Sequence, residues 1–302
     1  MRTLRIGTRA SRLAVVQAEA VAGLLHAHGV QTELITMTTS GDEGATAADS
    51  PTGLKGLWID TIFAGLRAGS IDLAVHSAKD LPAQDEPDLV IGAVPERADP
   101  KDLLLWREGG DGELRPGTVV GTSSLRRRAQ LLAAYPQIEV RELRGNVDTR
   151  LRKLEEGEVD AAVLAAAGLE RLGIEPAFVR TLGVDEMLPA PGQGALAVQC
   201  RADARDVHAV LVLLDHRASR LAFETERALT RQIGGGCALP LGALAAVKID
   251  AIRLAAVVAS PDGTDVVRAA AEAEDPERAA TIVARTLRDR GAQRILDEVA
   301  LA

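Results

Sequence analysis

The stretch "IDLAVHSAKDLPA" (71–83) places Ser77, Lys79 and Asp80 directly after an apolar run that reads as a buried strand. A carboxylate beside an ammonium can stabilise a developing cation and move protons, the work of general acid–base catalysis. Ser-x-x-Asp is equally a helix-capping pattern, and the local sequence leaves both readings open. Arginine at helix starts is the second chemical signal. Arg9 and Arg12 flank one expected start, Arg126, Arg127 and Arg128 fill the first turns of another, and Arg144, Arg150 and Arg152 surround a third. A helix N-terminus carries partial positive charge, so cations there cost stability and anions gain it. Solvated surface charge explains any single arginine. Three such clusters instead suggest sites in which guanidinium forks, free N–H groups and helix dipoles meet carboxylates or phosphates. The expected ligand is a small polyanion. The third signal is "RQIGGGCALPLGA" (231–243), where Cys237 follows three glycines. The glycines either leave the sulfur open to something large or serve a tight turn around a structural cysteine, the plainer reading locally. Cys200 in "ALAVQCR" reads as a buried residue.

These residues need elements to position them. Strands are expected at 4–8, 32–38, 71–75 and 89–94, with helices at 11–29, closed by Gly29, and about 57–68. A second series has strands at 118–122, 138–143 and 160–166 and helices at 124–135 and about 147–156. Alternation of this kind implies mostly parallel, doubly wound α/β sheets, whose ligands bind at the C-terminal edges of the strands. The arginine clusters fall at those strand-to-helix turns. "IGTRASRLAVVQAE" and "VGTSSLRRRAQLLAA" echo one another, as two domains of one topology would. "VPERADP" (94–100) and "LPAPGQG" (188–194) fit two crossings between those domains, a pair that makes a hinged cleft. After them a helix at 217–232, strands near 241–248, 251–259 and 264–272 and a helical end at 275–299 suggest a smaller α+β domain. The expected domains are 1–95 with 194–214, then 100–188, then 217–302.

Composition narrows the function. The chain has 302 residues, 47% hydrophobic and 26% charged, a globular profile too long for one core. Its 35 basic and 43 acidic residues give a net charge of −8, and it has two Trp, one Tyr and three Phe. Both facts argue against nucleic-acid binding. His26, His28, His76, His208 and His216 show no metal spacing. There is no Walker loop, no GxSxG elbow and no zincin motif, and "PGQGALA" reads as a flexible connection. No window is apolar enough to span a membrane. Two cysteines and no signal-peptide pattern make a reducing cytoplasm the expected compartment.

Six stretches, "RIGTRASRLAVVQA", "DLAVHSAKDLPA", "VGTSSLRRRAQL", "LRGNVDTRLRKL", "LPAPGQGALAVQCR" and "GGGCALPLGA", occur in the order and spacing of one family. On them the chain resembles the porphobilinogen deaminases over nearly its whole length. The resemblance implies a transferase of tetrapyrrole (haem) biosynthesis that joins four porphobilinogen molecules head to tail into linear hydroxymethylbilane, releasing ammonia each time. It implies two periplasmic-binding-protein-like domains and a third, smaller one. It further implies a dipyrromethane cofactor joined by a thioether to Cys237, whose glycines let the loop swing. Asp80 matches the catalytic carboxylate. Lys79, Ser77, Thr122, Ser123, Arg126, Arg127, Lys55 and Gly145 match residues holding the cofactor, and Arg9, Ser11, Arg144, Arg150 and Arg171 match those receiving substrate carboxylates. The expected partners are porphobilinogen and the growing pyrrole chain, with no nucleic acid, membrane or metal, for a protein acting as a monomer.

One segment departs from the family pattern. "GLKGLWIDTIF" (53–63) keeps Lys55 but has Leu54 for a glycine, Trp58 for a phenylalanine, and Thr61 and Phe63 where glutamates are usual. It borders the family's active-site lid. Two other readings follow: a diverged paralogue with weak activity, and a non-catalytic polyanion-binding module. The module explains the paired domains and arginines, but not Asp80 beside Lys79, the third domain or Cys237.

Overall fold

The computed structural model describes residues 2–37, 54–110, 112–234 and 239–301. The chain divides into two compact units, one of Met1–Arg97 with Ala195–Arg220, the other of Ala98–Gly194 with Leu221–Ala302. Among the described residues there are three sheets.

In the first unit β1 (Leu4–Arg9), β2 (Thr32–Met37) and β3 (Leu73–Ser77) run parallel, and β4 (Leu89–Ala93) is the far edge. β10 (Leu196–Arg201) enters between β3 and β4, antiparallel to both, giving the order β2-β1-β3-β10-β4. β3 and β10 are buried on both faces, as expected where helices cover a sheet. Helix α1 (Arg12–Ala27) buries Gln17, Ala18, Val21, Ala22 and Leu25, the three-and-four spacing of one face. Its four apolar members join Leu4, Ile6, Leu73, Val75 and Val198 in one core. Helix α2 (Leu54–Ala68) supplies Ile59, Ile62, Phe63 and Leu66 to another.

The second unit repeats this plan. β6 (Val119–Gly121), β7 (Glu139–Arg141) and β8 (Ala161–Ala165) are parallel. β5 (Asp102–Trp106) lies antiparallel between β8 and β9 (Val179–Thr181), for the order β7-β6-β8-β5-β9. The echo in the sequence is thus an echo in topology. Each sheet has four strands one way and one against, and in each the opposed strand follows a crossing. Helices α3 (Leu125–Ala134), α4 (Val147–Glu155) and α5 (Ala166–Leu172) follow β6, β7 and β8.

The same unit holds an antiparallel meander of β11 (Leu241–Val247), β12 (Ile252–Ala259) and β13 (Val266–Ala273). One face buries Leu241, Leu254, Ala256 and Val258 with residues of α7 (Arg217–Ile233), α8 (Pro276–Asp289) and α9 (Ala292–Leu301). The helical end expected at 275–299 consists of two helices, because Gly291 takes φ +92°, which no helical residue adopts. The turn between β12 and β13 meets α3, where a Cβ on Gly263 would strike the backbone of Leu132 and Ala133. Arg128 Nε donates to Pro261 O across that contact at 3.2 Å.

Candidate functional site

The candidate side chains gather at the C-terminal ends of parallel strands in each unit. In the first, β1 ends at Arg9, and Ser11 caps α1 by accepting from Ala14 N at 3.4 Å. β3 ends at Ser77 and runs into a 3-10 turn, Ala78–Asp80, that leaves Lys79 and Asp80 half-buried. The capping reading of Ser-x-x-Asp fails here, since the Ser77 side chain caps nothing and instead donates to Gln17 Oε1 at 3.0 Å. Leu81 N returns to Ala78 O and ends the turn. Beneath it His76 is 7% exposed, with Phe63 edge-on at 6.3 Å between ring centroids. Burial pulls the imidazole down to about 4, only partly opposed by Gln199 and the charge of Asp80. His76 is therefore neutral at physiological pH. Phe63, a departure from the family pattern, is a core residue, 5% exposed.

In the second unit, Thr122 and Ser123 follow β6. Thr122 Oγ1 accepts from Ser124 N at 3.2 Å, and Ser124 caps α3 by accepting from Arg127 N. Helices α1 and α3 have no acidic residue in their first turns. Neither Arg126 nor Arg127 is a surface charge; they are 4% and 5% exposed. Both bind one carboxylate, Asp102, at the start of β5. Arg126 Nη1 donates to Oδ2 at 2.8 Å, and Arg127 Nε and Nη2 donate to Oδ1 at 3.2 and 2.8 Å. Burial alone would raise the Asp102 carboxyl, but the two guanidiniums hold it far below the usual carboxylate range. Sequence reasoning missed Asp102. Its signal was a carboxylate heading the apolar run "DLLLW", in a strand too short to stand out. Gln193 was also missed: "PGQG" is no loose connection, for Gln193 is 1% exposed and donates to Pro100 O and Asp102 Oδ1.

The other arginines differ in freedom. Arg144 is exposed and paired with Glu142 at 2.7 Å, and Gly145 lies exposed in the turn before α4. Arg150, on α4, donates to Ser123 Oγ at 3.3 Å. Arg171, on α5, donates to Gly194 O at 2.6 Å, and burial lowers its guanidinium. Lys55 lies on α2 with its side chain outside the described residues, as is the whole of Cys237. Cys200 is fully buried, and burial raises its thiol to about 11. No group of His, Cys, Asp and Glu among the described residues could hold a metal ion, and no described helix is long and apolar enough to cross a membrane.

These residues suit a carboxylate-bearing group. Arg126 Nε is buried without a hydrogen-bond partner, and two buried guanidiniums share one carboxylate. The chain is similar to known proteins over nearly its whole length. Residues 4–209 match the family described as "Porphobilinogen deaminase, dipyromethane cofactor binding domain", and residues 221–289 its C-terminal domain. The porphobilinogen deaminase of Brevibacillus brevis is 44% identical, over 98% of this chain and 97% of that one. That of a Roseiflexus species is 46% identical, over 97% and 98%. Among solved structures, an ancestral cationic amino acid solute binding protein is similar with a TM-score of 0.43 and 15% identity, over 70% of this chain and 88% of that one.

Proposed function

Because the chain belongs to the porphobilinogen deaminase family, we propose that it performs that family's condensation with Asp80 as the catalytic carboxylate. The enzyme is a transferase: four porphobilinogen molecules and one water give one hydroxymethylbilane and four ammonia. Its dipyrromethane cofactor supplies, when bound, the pyrrole position on which the chain is extended. We assign the thioether to Cys237, which follows α7.

The observation that carries the assignment is the turn Ala78–Asp80. It sets a half-buried carboxylate beside Lys79 at the end of β3, with Arg9 at the end of the neighbouring β1. Departure of ammonia leaves positive charge on the substrate pyrrole, and a carboxylate facing the ring N–H lowers the energy of that cation. Lys79, Ser77, Thr122, Ser123, Arg126, Arg127, Lys55 and Gly145 hold the cofactor in this reading. Arg9, Ser11, Arg144, Arg150 and Arg171 receive the acetate and propionate groups. Two carboxylates per ring make every intermediate a polyanion, which fits the arginine clusters. We read three domains, one per sheet, and a monomer working in the cytoplasm.

The intact mass of the denatured protein tests the assignment. A mass above the bare chain by two porphobilinogen units less two ammonias, lost in Cys237→Ser, is expected. A bare-chain mass that stays unchanged with porphobilinogen would favour the binding module.

A further inference from the structure

Building on the proposed function, in which Arg126 and Arg127 hold the cofactor, we infer that Asp102 is the positioning residue of that pair and that Gln193 fixes Asp102 in turn. The two arginines are not equivalent. Arg127 uses every nitrogen of its fork: Nε and Nη2 on Asp102 Oδ1, and Nη1 on Val163 O at 2.9 Å. Arg126 makes its bonds to the described residues through Nη1 alone, to Asp102 Oδ2 and to Leu188 O at 2.6 Å, and its Nε has no partner. One carboxylate between two buried guanidiniums leaves one positive charge uncompensated, and buried charges are normally paired. The missing counter-ion is an anion, and the orphaned donor belongs to Arg126.

Asp102 is itself held from several sides. Gln193 Nε2 donates to Oδ1 at 2.9 Å and to Pro100 O at 2.7 Å, so the second crossing braces the residue that opens β5. Gln130, one turn beyond Arg126 on α3, donates to Leu188 O at 3.0 Å and accepts from Leu188 N at 2.8 Å. The guanidinium of Arg126 thus sits in a frame built from β5, α3 and the 188–193 crossing. A fork so placed binds a carboxylate without first losing rotamer entropy.

The test uses full-length protein from cells that make no porphobilinogen. Mass gain on denaturation is followed against porphobilinogen concentration for wild type, Asp102→Asn and Gln193→Leu, and scored per folded chain at a temperature where each is folded. Misplacing the fork should raise the half-saturating porphobilinogen for loading about tenfold in Asp102→Asn and about threefold in Gln193→Leu. A purely structural role would lower the melting temperature and leave half-saturation unchanged in both, which overturns the inference. If Asp102→Asn does not fold, Gln193→Leu decides alone by the same criterion. Wild type that gains no mass would overturn the proposed function and this inference with it, whereas wild type that loads beside variants that load equally well overturns the inference only.

Discussion

Asp80 and Arg144 stand at opposite ends of a scale of constraint, and their variants should fail differently. Asp80→Ala removes a half-buried carboxylate from a tight turn, so covalent cofactor should still assemble while turnover falls at least ~100-fold. Near-normal steady-state turnover would remove Asp80 from the mechanism. Arg144 is exposed, and its pairing with Glu142 contributes little in water, so a ligand carboxylate can displace that partner. Arg144→Ala should raise KM about tenfold with little change in kcat. An unchanged KM would exclude it from the carboxylate set. His76 makes a prediction about pH. Unfolded, it binds a proton near 6.5; folded, only near 4. Between these values the unfolded chain holds more protons, so stability falls as pH drops through that window, by up to about 3 kcal/mol. Urea midpoints of His76→Gln should lose this part of the pH dependence, and an identical slope in the variant would refute the assignment. Arginine type and position were legible in the sequence because charge at a helix start is anomalous. The partner of Arg126 and Arg127 was not, since Asp102 lies in another strand and meets them only through the fold.

At the scale of elements, the turn joining β12 and β13 docks on α3 through a glycine with no room for a side chain. Gly263 has φ +77°, and the backbone of α3 occupies the place of its Cβ. Gly263→Ala should therefore cost about 1–3 kcal/mol, visible in urea unfolding. A variant of wild-type stability would mean that the turn yields freely. The longer helices and the strands of the first series were readable because periodicity is local. Strands β5 and β9 and helix α5 were not, being short apolar pieces whose identity depends on distant partners. The segment 53–63 illustrates the limit on meaning. Phe63 looked anomalous against the family pattern, yet in the structure it packs on α2's own apolar face and against His76.

For the chain as a whole, the meander is tied to the rest of its unit by a buried acid. Glu226 on α7 is fully buried and accepts from Gly192 N at 2.6 Å and from Ala245 N at 2.8 Å. Both amides lose their acceptor in Glu226→Ala, a cost of about 2–5 kcal/mol. Hydrogen exchange should then quicken in β11–β13 more than in β6 and β8, and uniform acceleration would show that the meander does not open separately. Two sheets of one plan could be read from the repeated Gly-Thr stretches. The two crossings also imply that chain after residue 194 completes the first domain. The antiparallel places of β10 between β3 and β4 and of β5 between β8 and β9 could not be read, because pairing over such distances leaves no local trace.

That exchanged strand orders events at the ribosome. β3 and β4 do not pair with each other; each pairs with β10, whose first residue, Leu196, is made 119 positions after Ser77. At the usual pace of synthesis the gap lasts on the order of ten seconds. Through that interval the first sheet lacks its keystone, with two open strand edges that template aggregation unless shielded. The second sheet, whose strands are all made between residues 102 and 181, is complete before the first. The nascent chain thus finishes its middle before its beginning.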